Sequence, residues 1–466
     1  MNKTLALILM SSTSLNALAL GTEEFVQRLT SVHPFFQQLE TDAQIATLNK
    51  QATTANQDWT LSLDTKYQDE DYGEVSSISS AGNYTDLQTT SVDVSAKKKL
   101  TTLGGDLTLK HNWKEKSKAT TAALNTNRNK FSIDYSQPLL KNSGGINDRL
   151  NTDLAEIDVQ ISRINVLEKQ ENFVLGYLQK FVNLAYLQAQ FDINQSRVEL
   201  AQQELDLVED KFAQSVVDKV DVLNQKDAYQ RAKTQRLQAR QALELLQREL
   251  ALALKLDKKL IKAELDLYQI FEVATTNLER RLDQNARTLK INSLELDKLQ
   301  RQLQSNKNKS LADLSLNLGL SSEGEHLDYD QSIDNQGTHY SVGLSLSYPL
   351  GGTESKTAVQ KTQTQIRASD SARAEKLIEL HTKTQLSLEK IQLLSEMLLL
   401  SKTQIQIASD RAQEEQKRYA NGNSQASVVI SAQDNEMSAK LSAAQVAKDY
   451  QQAVLEYKAN IDTLIQ

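Results

Sequence analysis

Two kinds of apolar repeat alternate along this chain. Trp59, Leu61, Leu63 and Tyr67 fall at every second position, with Thr60, Ser62, Asp64 and Lys66 between them. The same period of two returns at Phe131, Ile133 and Tyr135, at Leu314 to Leu320, and at Tyr340, Val342, Leu344, Leu346 and Tyr348. Such alternation predicts strands with one apolar and one polar face. Elsewhere the spacing is three and four. Leu150, Leu154, Ile157, Ile161 and Ile164 step 4-3-4-3, Val174, Leu178, Phe181 and Ala185 resume the stripe, and Leu243, Leu246, Leu250 and Ala253 carry it on a later segment. That is the heptad seam of packed long helices, whose wet faces hold the intervening Gln, Glu, Lys and Arg. From Ile146 to Lys211 about 66 residues run without proline, roughly 100 Å of helix at 1.5 Å per residue. A fibre, a spacer or a tunnel needs such a helix.

In two of the alternating runs an aromatic stands at each end, Trp59 with Tyr67 and Tyr340 with Tyr348. Eight residues of strand span roughly 26 Å, the height of an apolar band edged by aromatic girdles in an outer-membrane barrel. A soluble sheet with one wet face gives the same local pattern. Four strands do not close a barrel, since the smallest membrane barrels use about eight, and open edges in lipid leave backbone groups unpaired. On the barrel reading other copies complete the wall, and three copies of four strands give twelve. A further hairpin is expected near Val92–Ala96 and Leu107–Trp113, around Gly104-Gly105. Lys98 shares its apolar face, at roughly 2–4 kcal/mol if it sat at the bilayer midplane. This hairpin is therefore expected mostly outside the bilayer.

An internal repeat organises the whole. Gly144-Gly145 recurs as Gly351-Gly352, and Lys211-Phe212 followed by Ser215, Val222 and Leu223 recurs as Arg418-Tyr419 followed by Gly422, Val429 and Ile430. Both matches have an offset of 207 residues. The expected layout is a first repeat over residues 20–256, a connecting segment over 257–271 and a second repeat over 272–466, each repeat being helix, strands and a helical hairpin. Residues 1–19 read as a secretory leader, with Lys3, an apolar stretch from Leu5 to Met10, and Ala17-Leu18-Ala19 as a cleavage site.

Composition narrows the function. The net charge of −7 argues against an electrostatic nucleic-acid binder. With no cysteine there is no disulfide, thiolate metal site, cysteine nucleophile or lipid-modified N-terminal cysteine. The five histidines show no metal-ligand spacing, and neither Gly-Gly pair is followed by the Lys-Ser/Thr of a phosphate-binding loop. The expectation is a protein that is not an enzyme and uses no cofactor or metal.

The repeat, the strands and the hairpin turns together resemble the TolC-type outer-membrane efflux family. The resemblance rests on His33-Pro34, on the strand exit Gln137-Pro138-Leu139-Leu140, on the Gly-Gly before each long helix and above all on the helical turn. The family's turn resembles R-Y-x-x-G-x-x-(S/T)-x-x-D-V-L-x-A-Q. Here it appears as Lys211-Phe212 to Ser215, with Asp218 and Asp221-Val222-Leu223, and again as Arg418-Tyr419 to Gly422, then Val429-Ile430-Ser431-Ala432-Gln433. Ser215 replaces the usual glycine, and Val428 and Ser431 stand where some members carry aspartates, which puts a charge-ring gate in doubt.

The resemblance implies a mixed α/β, mainly α protein. It would be a homotrimer with four strands per protomer in a twelve-stranded outer-membrane barrel, continued by a long periplasmic coiled-coil tunnel. It further implies an exit duct for tripartite efflux or type I secretion, working with a periplasmic adaptor and an inner-membrane pump. Its tip and adaptor contact would fall at Phe212, Ser215, Asp218, Asp221, Val222, Leu223, Tyr419, Gly422, Val429 and Ile430, and its membrane-interface aromatics at Trp59, Tyr67, Tyr340 and Tyr348. Capping of a helix N-terminus is an equally good role for Asp218, and packing within each hairpin for Val222 and Val429. A secreted coiled-coil spacer or adhesin is the alternative from another class; it accounts for the heptads and leaves the strands unexplained.

Overall fold

A computed structural model describes residues 20–71, 86–119, 124–272 and 278–465. The expected leader, residues 1–19, lies outside the described residues. The chain runs α1 (Thr22–Val32), α2 (Pro34–Thr53), β1 (Thr60–Asp71), β2 (Asp86–Leu100), β3 (Gly105–Ala119), β4 (Leu124–Pro138), α3 (Leu150–Ala213) and α4 (Lys219–Leu254). It continues with α5 (Leu278–Asn285), α6 (Arg287–Lys309), β5 (Asp313–His326), α7 (Tyr329–Asp334), β6 (Gly337–Ser347), α8 (Thr353–Ala420) and α9 (Ala426–Asn460). The 64-residue α3 passes through Gly176 without a break, since one interior glycine costs about 1 kcal/mol, far less than helix packing returns. Two compact units result, each described by itself.

One unit, residues 42–164 and 290–374, holds an antiparallel meander in the order β1-β2-β3-β4-β5-β6. Four barrel strands and a separate hairpin were expected; all six strands pair in one sheet. The hairpin around Gly104-Gly105 is not an appendage: β2 pairs with β1 over its whole length, and β3 pairs with β4. The reason lies in the register. Leu61, Ala96, Leu109, Ile133, Leu320 and Tyr340 are successive cross-strand partners, so one apolar row crosses all six strands. The next row is polar throughout, Ser62, Ser95, Lys110, Ser132, Ser321 and His339. A slip of one residue anywhere would invert one strand's faces.

Apart from the short α7, the helices join the sheet at one end, before β1, after β4, before β5 and after β6, and the short β2–β3 turn lies at that same helix end. This turn is locked to the segment that leads into α3. Gly104 and Gly145 both have positive φ, and a Cβ on Gly145 would lie 1.7 Å from the Thr101 carbonyl oxygen. The Arg149 guanidinium donates to the Thr101 carbonyl at 3.1 Å, and Lys99 pairs with Asp148 at 3.0 Å. At the far end α7 lies against β4 and β5, where Asn129 Nδ2 donates to Ser332 Oγ at 2.6 Å.

The other unit, residues 1–41, 165–289 and 375–466, is helical. Its principal core gathers Phe25 and Leu29 of α1, Val174, Leu178 and Phe181 of α3, and Leu250 and Leu254 of α4. The heptad positions expected to face inward between Val174 and Ala185 are all buried. The connecting segment is pinned by its backbone: Gln451 of α9 donates to the carbonyls of Leu267 and Gln269, and the Phe271 amide donates to Tyr450 Oη. Arg287, at the start of α6, meets Glu171 and Glu168 of α3 together with Asp462 beyond α9.

Candidate functional site

Two regions hold the residues expected to matter, one in each unit. On the sheet, Leu63, Tyr67, Tyr340, Val342, Leu344 and Leu346 are each more than 60% exposed in the single chain. Trp59 lies just before β1 and Tyr348 just after β6, so these two mark the helix end of the apolar face, while Tyr67 and Tyr340 lie within the strands toward the far end. Trp113 of β3 joins them. Its register partner Val92 is also the partner of Thr65, two residues from Tyr67. Lys98 comes to the helix end, where its ammonium sits 5.6 Å from the centre of the Trp59 ring. A cation over an indole face is a favourable contact.

In the helical unit, α3–α4 and α8–α9 each close with the same turn. Ser215 (φ 59) donates its amide to Phe212, and Val216 donates to Lys211. Gly422 (φ 79) donates to Tyr419, and Asn423 donates to Arg418. This pair of bonds satisfies carbonyls at the end of a helix through one left-handed residue. Ser215 adopts that conformation although it has a Cβ. Asp218 occupies the N-cap position of α4, yet its carboxylate makes no capping hydrogen bond. The capping role expected of it is corrected to charge alone, since a negative group near a helix N-terminus is favoured by the helix dipole. Asp221 sits in the first turn of α4.

The remaining expected tip residues divide by burial. Val208, Val222, Tyr419, Ala426 and Val429 form one small core between the two hairpins, and Ile430 is buried beside Val429. Lys211 fastens it, with its ammonium 4.1 Å from the Tyr419 ring centre and donating to the Tyr419 carbonyl at 3.2 Å. Burial pushes the Tyr419 phenol above its ordinary range, with Asp221 and Glu204 adding to the shift. By contrast Leu223 is 55% and Phe212 44% exposed, and so are Val216 at 65% and Val220 at 63%, which the sequence reading did not single out. Four apolar side chains around one turn are available for contact.

Two further features escaped the sequence reading. Glu204 of α3 is buried and accepts from Gln225 of α4 at 2.8 Å and from Gln433 of α9. Burial pushes its carboxyl above the ordinary range, against the two amide hydrogen bonds and the Arg197 charge. Its place in the buried stripe between Ala201 and Val208 was the available signal. On α8, Leu386, Leu393, Leu400 and Ile407 recur every seven residues and are each at least 59% exposed. A period of seven is that of a coiled-coil seam, and among the described residues nothing covers it.

Residues 278–458 match the sequence profile of the outer membrane efflux proteins. The matched segment runs from the start of α5 to near the end of α9. No curated relative matches this sequence. Among solved structures, the fold of this chain is similar to that of VceC of Vibrio cholerae, at 10% identity with a TM-score of 0.67, covering 95% of this chain and 96% of that one. It is similar to the Campylobacter jejuni CmeC channel at 12% identity with a TM-score of 0.65, covering 96% and 86%. The open state of the Neisseria gonorrhoeae MtrE channel matches at 13% identity and a TM-score of 0.66, covering 98% and 94%. At these identities the likeness is one of fold. Among the described residues, no group of three or more ligating side chains could hold a metal, and no helix is long and apolar enough to cross a membrane.

Two outcomes test the helical region. Ser215→Gly should relieve about 1 kcal/mol of left-handed backbone cost, and Gly422→Ala should add about as much. Amide hydrogen exchange at the two turns would slow in the first variant and quicken in the second. For Glu204, a raised folded pKa means the folded state holds its proton more tightly than the unfolded chain. Its contribution is then fully present below the ordinary value of 4.5 and is lost as pH rises through the higher folded value. Glu204→Gln, which cannot ionise, should gain in melting temperature over the natural protein as pH rises through that window. A gap that stays constant across the titration would show that the carboxyl does not change charge there.

Proposed function

We propose that this outer-membrane protein is the exit channel of an export assembly, closed by three copies. The observation that carries this reading is the sheet, in which one apolar row crosses all six strands, aromatics end the face of β1, β3 and β6, and both outer edges are unpaired among the described residues. Lipid tolerates such a sheet only when its edges close on one another. The exposed α8 seam at Leu386, Leu393, Leu400 and Ile407 supports association through the helices as well. A secreted spacer would account for the seam and leave the sheet's apolar face in water.

In this reading the helical turns are the end that meets a periplasmic adaptor, and an inner-membrane pump supplies the energy, as in tripartite efflux or type I secretion. The contact surface is Phe212, Val216, Val220 and Leu223. Val222, Tyr419, Val429 and Ile430 hold the two hairpins together behind it. The turns at Ser215 and Gly422 set the direction of the returning helices, and Asp218 and Asp221 place negative charge beside the first of them.

Two experiments check the reading. Leu63→Arg or Leu344→Arg should abolish insertion of the trimer, at roughly 2–4 kcal/mol per copy for arginine at mid-bilayer. Ser62→Arg and Ser345→Arg, on the polar face, should still insert. Equal yields of heat-modifiable trimer from all four variants would remove the barrel. At the turns, Val216→Asp and Val220→Asp should leave the trimer in the membrane and lower export about tenfold, the effect of losing about 1.4 kcal/mol of docking energy. Val222→Asp buries an unpaired charge and should loosen the turns to proteolysis. Undiminished export by both exposed variants would take the turn surface out of the mechanism.

A further inference from the structure

The hairpin β2–β3 bears on how wide the channel is, and the argument rests on the barrel reading above. Most of its outward residues continue the band set by the flanking strands; the exception between Leu109 and Trp113 is His111, the partner of Val94, which stacks on Phe131 and lies 3.3 Å from Asn129 Oδ1. Ala96 and Leu109 lie in the row between Leu61 and Ile133, and Val92 and Trp113 lie in the row of Thr65. Both ends of the band are finished in the same way as elsewhere, Trp113 at the far end and Lys98 over Trp59 at the helix end. Lys98 is therefore an interfacial side chain, where a lysine costs about 0–1 kcal/mol. The opposite face of the hairpin bears Lys97, Lys110 and Lys114, with Lys110 paired to Asp93 at 2.9 Å. That face is suited to water and prohibitive in lipid.

We propose that β2 and β3 cross the bilayer as part of the barrel wall, so that each copy supplies six strands and three copies enclose a barrel of eighteen. The lipid acyl chains are what covers Val92, Val94, Ala96 and Leu109. Strand direction permits the ring. β1 runs away from the helix end and β6 returns to it, so β1 of one copy lies antiparallel to β6 of the next, like every other neighbouring pair. Because barrel diameter grows roughly linearly with strand number, this wall is about half again as wide as one built from four strands per copy.

The absence of cysteine makes the test direct. Single substitutions Val94→Cys, Leu109→Cys, Ser95→Cys, Leu63→Cys and Leu344→Cys, each labelled with bimane in the full-length trimer, are reconstituted in vesicles of ordinary or chain-brominated phosphatidylcholine. Quenching at Val94 and Leu109 equal to that at Leu63 and Leu344, with Ser95 unquenched, is the expected result. Quenching at Leu63 and Leu344 without Val94 and Leu109 would overturn the six-strand wall and leave the barrel standing. No quenching at any position would overturn the barrel reading itself, and the wider wall with it.

Discussion

The constraint on which this architecture depends is the hydrogen bonding of the sheet's two outer edges. Within the chain every strand from β2 to β5 has partners on both sides, while β1 and β6 each have one. Both edge strands also carry the most exposed apolar side chains of the sheet, with Leu61 at 75% and Tyr340 at 87%. In water such an edge templates aggregation, and in lipid its free amides and carbonyls are prohibitive. On the proposed barrel reading a single copy is an incomplete folding unit, and its stability would depend on concentration as an obligate oligomer's does. The exposed heptad seam of α8 is the helical counterpart of the same incompleteness.

The helical turns show how one step along a helix changes a residue's task. Val222 is buried in the core shared by the two hairpins, and Leu223, about 100° further round, is exposed. The buried set is partly satisfied: Lys211 lies over the Tyr419 ring and Glu204 accepts from the amides of Gln225 and Gln433, while the Tyr419 hydroxyl and Gln433 Oε1 are buried without a partner. An acid so placed is an awkward choice for a static contact. Burial opposes its charge, and only the two amides and Arg197 make ionisation tolerable. The contact between α3, α4 and α9 therefore changes strength with protonation, whereas the apolar contacts of Val208 and Val429 beside it do not.

Much of this was legible in the sequence, because periodicity reports which face of an element is apolar. The alternating runs at Leu61, Ile133, Leu316 and Leu344 became β1, β4, β5 and β6, and the stripe from Val174 to Ala185 became core. The helical turns were legible at both Ser215 and Gly422. What escaped depends on relations between elements. Lys98 weighed against β2 and β3 as membrane strands while its depth was unknown; the register that puts it beside Trp59 comes from pairing with β1 and β3. Asp218 has the residue type and position of a cap, but its side chain makes no capping hydrogen bond. Val216 and Val220 carry no periodic signal, since a turn has no period. Glu204 hid among many helical glutamates, and only the stripe from Ala201 to Val208 set it apart.

A barrel wall of this kind changes size in pairs of strands. Inserting one strand between β1 and β4 would reverse the direction of everything after it and detach β4 from α3. Inserting two returns the chain to the same end, travelling the same way. The register here meets the second requirement, that the faces match: Leu61 and Ile133 stand on the same side whether joined directly or through Ala96 and Leu109. A hairpin also needs an anchor at its new turn, because Leu100 to Gly105 lies against the start of the long helix. The two glycines that admit the close approach, Gly104 and Gly145, belong one to the hairpin and one to the Gly-Gly pair before α3. The second Gly-Gly pair, Gly351 and Gly352, has no hairpin against it, and no backbone oxygen crowds the place of either missing Cβ. The steric demand for glycine at 145 thus exists because β2 and β3 are there, which ties the helix entry to the width of the sheet.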